Sequence, residues 1–402
     1  MLELQHIQSA LHRIRDSICV SPCTRSHALS NLTGTSLFLK LENLQRTGAF
    51  KERGALNKLL ALSPGERARG LVAASAGNHA QAVAYHSSRI GIKAEIWMPL
   101  TTPLVKVSAT RSYGAEVVLH GTSFDEAFQA AQQHSLDQQR TFIHPFDDED
   151  VIAGQGTLAL EVLDQVPDLE AVVVPVGGGG LISGMALALK ELNPDIQVIG
   201  VQSSLVPSML KAVEAGRPVP VAARPSVADG IAVRSVGETT LLLVQKYVDE
   251  IILVDEEEIA NAVLFLLERE KTLAEGAGAA AVAALLHHKV RVDRRTVVAV
   301  VSGGNMDVTL LARIIERGLV KDGRLVRLRI SLPDHPGALH RLTEVIAANR
   351  VNIVETSYHR AFHGATLGHT VIDLTMETRG HDHGDAMITA LAKAGYNHER
   401  IV

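Results

Sequence analysis

From Leu37 onward, short apolar runs alternate with segments of helical period. "SLFLKLE" reads as a strand, and Lys51 to Leu62 as a helix. "GLVAAS" is a strand leading into "AGNHAQAVAYHSSRIG", a helix closed by Gly91. "KAEIWMP" and "AEVVLHG" repeat the theme. "AVVVPVGGGG" reads as a buried strand entering a glycine loop and then a helix, Leu181 to Leu192. "DIQVIGVQS" and "TVVAVVSGGN" are further apolar strands, each followed by a turn. Strands apolar on both faces and separated by helices predict parallel sheets with helices on either side.

The pattern changes near Lys321-Asp322-Gly323. Val326, Leu328, Ile330 and Leu332 alternate with polar residues, the period of a half-buried strand. Pro333 to Gly337 makes a turn, and Ala338 to Ala348 has helical spacing. Asn352 to Tyr358 alternates again, "HTVIDLTME" gives another strand, and "DHGDAMITALAKAG" another helix. The order is βαββα, with room for a last strand at the terminus. It predicts a small α+β module with helices on one face of an antiparallel sheet. The expected division is therefore residues 1–320 and a second module over 325–402.

Composition narrows the class. The 402 residues suit two or three domains, and a 46% hydrophobic content allows a large core. Aromatics make up only 3% and the net charge is −5, so neither a basic block nor base-stacking rings point to nucleic acid. Cys19 and Cys23 are close enough in sequence to pair in principle, but nothing in the sequence suggests a disulfide framework. "MLELQHIQSALHRIRDSI" mixes charges into an amphipathic helix and has no signal-peptide core. The richest apolar stretch, Ala277 to Leu286, is about half of what a membrane span needs. A soluble, cytoplasmic protein is expected, with no membrane or nucleic-acid partner.

Candidate chemistry begins at "TGAFKERGA", where Lys51 stands between Phe50 and a run of small residues. A lysine at a helix start is ordinarily solvated and protonated. As a nucleophile it needs a pKa lowered by burial or a nearby cation. In "SAGNHAQAVA" a strand opens into a helix, whose first N–H groups suit an anion, with Asn78 at the mouth. "PVGGGGLISG" lets the backbone wrap an anion at a second helix start. A dinucleotide fingerprint fails there, because Ser183 stands where its third glycine is needed and Gln202 where its ribose acid is needed. A compact monophosphate fits better. "VVSGGN" puts Ser302 at a strand end, where ligands of parallel sheets collect. Eighteen histidines are scattered without an H-E-x-x-H. "HDHGD", His381 to Asp385, reads as a polar turn, His287-His288 as a helix end, and "DEEEIANAV" as an acidic helix start. No metal site is expected.

The order and spacing of "FKERGA", "SAGNHAQ", "GGGGLISG", "ADG", "EGAGA" and "SGGN", over residues 20 to 315 or so, resemble the fold-type II family of pyridoxal-phosphate enzymes. Within it the threonine dehydratases (threonine ammonia-lyases) are most similar. "LPDHPGALHRL" and the strand order of the tail resemble an ACT domain, a ferredoxin-like module that binds regulatory amino acids. The resemblance implies two parallel-sheet α/β domains, the smaller inserted at roughly 47–150, plus the regulatory tail.

It also implies roles. Lys51 would carry pyridoxal 5'-phosphate as a Schiff base and, once displaced by substrate, move the α-proton. Phe50 would pack on the cofactor ring and Asn78 would bond its phenolic oxygen. Gly177, Gly178, Gly179, Gly180 and the Leu181 amide would hold the phosphate. Ser302 would face the ring nitrogen; its neutral hydroxyl does not enforce a protonated ring. Ser75, Ala76, Gly77 and His79 would take the substrate carboxylate. Serine racemases of this fold carry a second serine where this chain has Ala76, and a metal-binding Glu where it has Gln202. Gly337 would lie at the effector site, for a branched-chain amino acid. The implied activity is dehydration and deamination of L-threonine to 2-oxobutanoate, with L-serine to pyruvate, in a homo-oligomer, dimer or tetramer. A serine or 3-hydroxyaspartate dehydratase or racemase, and a non-catalytic amino-acid sensor, stay open as alternatives.

Overall fold

The apolar runs before residue 302 form two separate sheets. In the computed structural model, which describes residues 2–222, 224–292, 295–359 and 367–401, the chain divides into two compact units, Met1–Asp307 and Val308–Val402. The strands of the first unit are β1 (Cys23–Arg25), β2 (Ser36–Leu41), β3 (Leu71–Ala74), β4 (Ala94–Met98), β5 (Glu116–Leu119), β6 (Thr141–Phe142), β7 (Ala171–Pro175), β8 (Gln197–Ser203), β9 (Glu250–Val254) and β10 (Thr296–Val301). The larger sheet runs β1-β2-β10-β7-β8-β9, parallel throughout except at the β1–β2 edge. The smaller runs β5-β4-β3-β6, all parallel.

Burial explains the composition of the strands. Every residue of β7 and β10 is buried, so both faces demand Val and Ala rather than alternation. Helices Glu149–Gln165 and Gly180–Leu192 pack on the larger sheet in one continuous core. The smaller sheet has its own core around Leu71, Ile96 and Val83.

Three helices meet backbone to backbone beneath Lys51. A Cβ on Gly154 would lie 2.5 Å from Arg53 O, and one on Gly184 would lie 2.4 Å from Ile152 O. The small residues of "IAGQGT" thus let the Lys51–Ala61 helix and the Gly180–Leu192 helix press on either side of Glu149–Gln165. Inside this junction the Arg53 side chain is fully buried and donates to Glu42 and Glu161. Lys40 Nζ donates to the same Glu161 at 2.8 Å. The acidic helix start at Asp255 closes a capping box with Glu258.

In the second unit, strands β11 (Leu325–Pro333), β12 (Asn352–His359), β13 (His369–Glu377) and β14 (His398–Ile401) form an antiparallel sheet in the order β12-β13-β11-β14. With helices Ala338–Ala348 and His381–Lys393 the order is βαββαβ, the last strand included. Helix Val308–Lys321 groups with this unit, whereas the hydrophobic pattern assigned it to the first. No helix among the described residues is long and apolar enough to cross a membrane.

Candidate active site

The C-terminal ends of β3, β7 and β10 open into one cavity of about 880 Å³. Parallel strands followed by tight turns and helix starts bring N–H groups to this edge, which is why such sheets bind ligands there. Phe50, Lys51, Ser75, Ala76, Gly77, Asn78, His79, Gly177, Gly178, Gly179, Gly180, Leu181 and Ser302 all line it. Gly337 lies in the second unit, with φ +86, directly before helix Ala338–Ala348.

Lys51 is the first residue of its helix, and its Nζ donates to Pro145 O at 2.8 Å. Burial pulls its pKa down to about 8, against the opposing charge of Glu275. A sizeable fraction of this amine is therefore neutral near physiological pH. The segment before it is stitched to the turn after β10: Phe50 N donates to Ser302 O (3.0 Å) and Gly304 N to Gly48 O (2.9 Å). Lys51 and Ser302 are thereby held across one cavity.

The glycine loop is a cradle that side chains cannot enter. A Cβ on Gly178 would lie 2.4 Å from the Phe146 ring, and one on Gly179, which has φ +96, would lie 2.4 Å from Met209 Cε. The loop leads directly into helix Gly180–Leu192, whose first N–H groups have no partner within the helix. The arrangement suits a small anion such as a phosphate monoester.

His79 and His144 flank Lys51 in neutral form. The His79 ring bonds Ile143 O through Nε2 at 3.0 Å; since a carbonyl only accepts, the proton sits on Nε2. Burial and Lys51 hold its pKa at about 3. His144 Nδ1 accepts from Asp147 N (2.7 Å) and Phe146 N (3.3 Å), and burial takes its pKa to about 4. His79 brings to the cavity its backbone at the helix start; its ring bonds Ile143 through Nε2 and leaves a buried Nδ1 without a partner.

Sequence reasoning missed several members of this site. Glu275, from "EGAGA", is buried, accepts from Asn78 Nδ2 at 2.6 Å, and has its pKa raised to about 7 by burial and Asp229. Asn305 donates to Asn78 Oδ1 and to Thr47 O, each at 2.7 Å. Lys106 and Asp229 pair at 2.9 Å at the cavity wall, and Arg234 pairs with Asp125. The motifs held Glu275, Asp229 and Asn305, but nothing in their pattern marks burial.

Two other polar motifs are satisfied locally. Gln202 Oε1 accepts from Leu210 N (3.2 Å) and its Nε2 donates to Ser208 Oγ (3.3 Å). His381 and His383 use Nε2 on the carbonyls of Lys321 and Asn349, at 2.9 Å each. Among the described residues no group of three or more His, Cys, Asp or Glu is placed to hold a metal ion.

An α/β unit with two parallel sheets, a half-buried lysine of lowered pKa and a phosphate-sized glycine cradle converge on one class of enzyme. The chain belongs to the pyridoxal-phosphate-dependent enzymes, whose family profile matches residues 14–303. It is 47% identical over 396 residues, 98% of each chain, to a protein of Thermotoga maritima named L-threonine ammonia-lyase. The processed form of threonine deaminase isoform 2 from Solanum lycopersicum superposes with a TM-score of 0.74 at 38% identity, over 78% of this chain and 92% of that one. Maize serine racemase gives a TM-score of 0.74 at 32% identity, over 80% of this chain and 98% of that one.

The residues present fit the cofactor of this family. The close contacts that a Cβ would make at Gly178, Gly179 and Gly180 keep side chains out of a loop sized for a phosphate, and the Lys51 amine and the Asn78 amide line the same cavity.

Proposed function

We propose that this chain deaminates L-threonine to 2-oxobutanoate and ammonia, and L-serine to pyruvate, as a soluble cytoplasmic enzyme. The observation that carries the proposal is Lys51: a half-buried side chain whose amine, desolvated in the cavity, has its pKa lowered to about 8, in the same cavity as a phosphate cradle. The names of the relatives over nearly the whole chain support threonine as the substrate.

The bound cofactor supplies the aldehyde and the electron-accepting ring that acidify the substrate's α-carbon. Gly177 to Gly180 and the Leu181 amide would hold its phosphate, Phe50 would pack on its ring, Asn78 would bond its ring oxygen and Ser302 would face its nitrogen. Ser75 through its hydroxyl, with the backbone of Ala76, Gly77 and His79 at the positive end of helix Asn78–Arg89, would take the substrate carboxylate; the Ser75 N–H is already given to Trp97 O. Lys51 removes the α-proton. Its lowered pKa makes the neutral amine available, and the Pro145 carbonyl orients it. The β-hydroxyl leaves as water, taking up a proton that balances the one removed from the α-carbon; the released enamine tautomerises to the imine, which water hydrolyses to the keto acid and ammonia. Ala76 has no proton to exchange on its face of the cavity, which favours elimination over racemisation.

The βαββαβ unit is proposed to be an ACT domain that binds isoleucine or valine beside Gly337 and couples effector binding to pairing of subunits. A keto-acid assay across threonine, serine and 3-hydroxyaspartate, with and without isoleucine and valine, tests both parts. Threonine should be preferred, and Lys51→Ala should abolish turnover; near-native turnover in that variant would refute the central assignment. A chain ending at Asp307 should keep turnover and lose any effector shift. Flat responses of the full chain to every branched-chain amino acid would refute the regulatory part.

A further inference from the structure

The amide chain beside Lys51 has a fixed direction. Asn305 Nδ2 lies 2.7 Å from Thr47 O and 2.7 Å from Asn78 Oδ1. A backbone carbonyl only accepts, so the nitrogen of Asn305 faces Thr47 and its other hydrogen goes to Asn78 Oδ1. The nitrogen of Asn78 is then turned toward Glu275, 2.6 Å from Oε1. Ionised Glu275 accepts as well, so above neutrality both ends agree, and the Thr47 carbonyl fixes the direction at any pH. One Asn78 N–H is spent on Glu275, and the other is left for a group in the cavity that Asn78 lines.

Close packing seats these groups. A Cβ on Gly303 would lie 2.5 Å from Glu275 Oε1 and 3.1 Å from Asn78 Nδ2; one on Gly48 would lie 2.6 Å from Asn305 Oδ1. Glu275 also stands directly before helix Gly276–Leu286, where an acid would ordinarily bond its own helix's N–H groups. It makes no such capping bond. Its carboxyl turns instead toward Asn78, at the cost of burying an acid.

We propose that Glu275 is a positioning residue: it turns and holds the Asn78 amide so that the remaining N–H addresses the ring oxygen of the cofactor. This deepens the role given to Asn78 above and rests on it. The charged groups around the carboxyl are Asp229, Lys106 and Lys51. Burial and Asp229 push it up, while the Asn78 bond, Lys106 and Lys51 pull it down, leaving it at about 7. As pH rises through neutrality the Asn78–Glu275 bond becomes charge-assisted and stronger. The absorption of the bound cofactor should register this change through its ring oxygen.

The experiment uses the holoenzyme and the variants Glu275→Gln, Glu275→Ala, Asn78→Ala and the Glu275→Ala/Asn78→Ala double. The visible band of the wild type should titrate between about pH 6 and 8, and Glu275→Gln, which keeps the shape and an acceptor, should lose that transition. Glu275→Ala should weaken cofactor binding about tenfold, the value of a hydrogen bond to a charged group. In the Asn78→Ala background the same change should cost nothing further, because the residue acts through Asn78. An unaltered titration in Glu275→Gln, or a full additive loss in the double variant, would overturn the proposal. Lys51→Ala in the same series separates the two levels. Retained turnover there undoes the functional reading itself; its loss, with an unchanged Glu275→Gln titration, undoes only the positioning role.

Discussion

Replacing Arg53 with Met tests how the nucleophile's helix is anchored. A guanidinium has five N–H donors, and all of them are used here. Nε and Nη2 donate to the Glu42 carboxylate at 2.8 and 2.9 Å, Nη1 and Nη2 to Glu161 at 2.6 and 2.9 Å, and Nη1 to Thr157 Oγ1 at 3.3 Å. With Lys40 the cluster is balanced, cations and carboxylates in equal number. Met fills much of the volume but leaves Glu42 and Glu161 facing one ammonium. Removing one partner of a buried ion pair costs about 3–5 kcal/mol. For a unit of this size each kcal/mol moves the melting temperature by about 2 °C, so the first unit should melt about 6–10 °C lower. Burial raises the Glu42 pKa, but Arg53 outweighs it and holds the carboxyl below its usual value. Without Arg53, burial is opposed only by the Ser21 hydrogen bond and by Lys40, so the Glu42 carboxyl rises from its wild-type value, and folded Glu42 is expected to bind its proton more tightly than the unfolded chain does. The variant's stability then falls as pH rises, so its deficit should be smaller at pH 5 than at pH 8. Calorimetry at both values decides the matter; a deficit under about 2 °C that ignores pH would refute the argument.

The remaining predictions concern the cavity. The rate at which apo-protein reacts with the aldehyde of pyridoxal phosphate should rise about tenfold per pH unit and level off near pH 8, because only the neutral Lys51 amine attacks. A stopped-flow rate still climbing at pH 10 would mean a solvated amine. Gly178→Ala should weaken binding of pyridoxal phosphate by about 10–100-fold, since its Cβ would overlap the Phe146 ring. Binding of unphosphorylated pyridoxal should change little. Equal losses for the two ligands in equilibrium dialysis would place the phosphate elsewhere.

Much of the first unit was legible because strands buried on both faces leave plain Val/Ala runs, and because β7 and β10 end at glycine-rich turns. β7 with its glycine loop, and β10 with Ser302, are the clearest cases. The antiparallel unit was equally plain from the alternation in β11. The charged members of the buried junction were not. Glu42, Glu161 and Arg53 look like surface residues in a string of letters, since only tertiary pairing makes their burial tolerable. Pro145 was invisible for another reason: it acts through its carbonyl, which every residue has. Helix Val308–Lys321 shows where periodicity stops, because an amphipathic face declares that it packs, not which unit it packs upon.

The place of β10 in the larger sheet has a consequence for how the protein comes into being. It lies between β2 and β7, pairing Thr296 to Val301 with Ser36 to Leu41 on one side and Val297 to Ala299 with Ala171 to Val173 on the other. During synthesis β2 and β7 emerge long before it. Until it arrives, both present open edges able to pair with other chains. The stitches from Phe50 and Gly48 to the turn after β10 close at the same moment. The nucleophile is thus made early and set in place late. A nascent chain lacking β10 is an aggregation hazard without a working site, and full translation of the first unit is the step that ends both conditions.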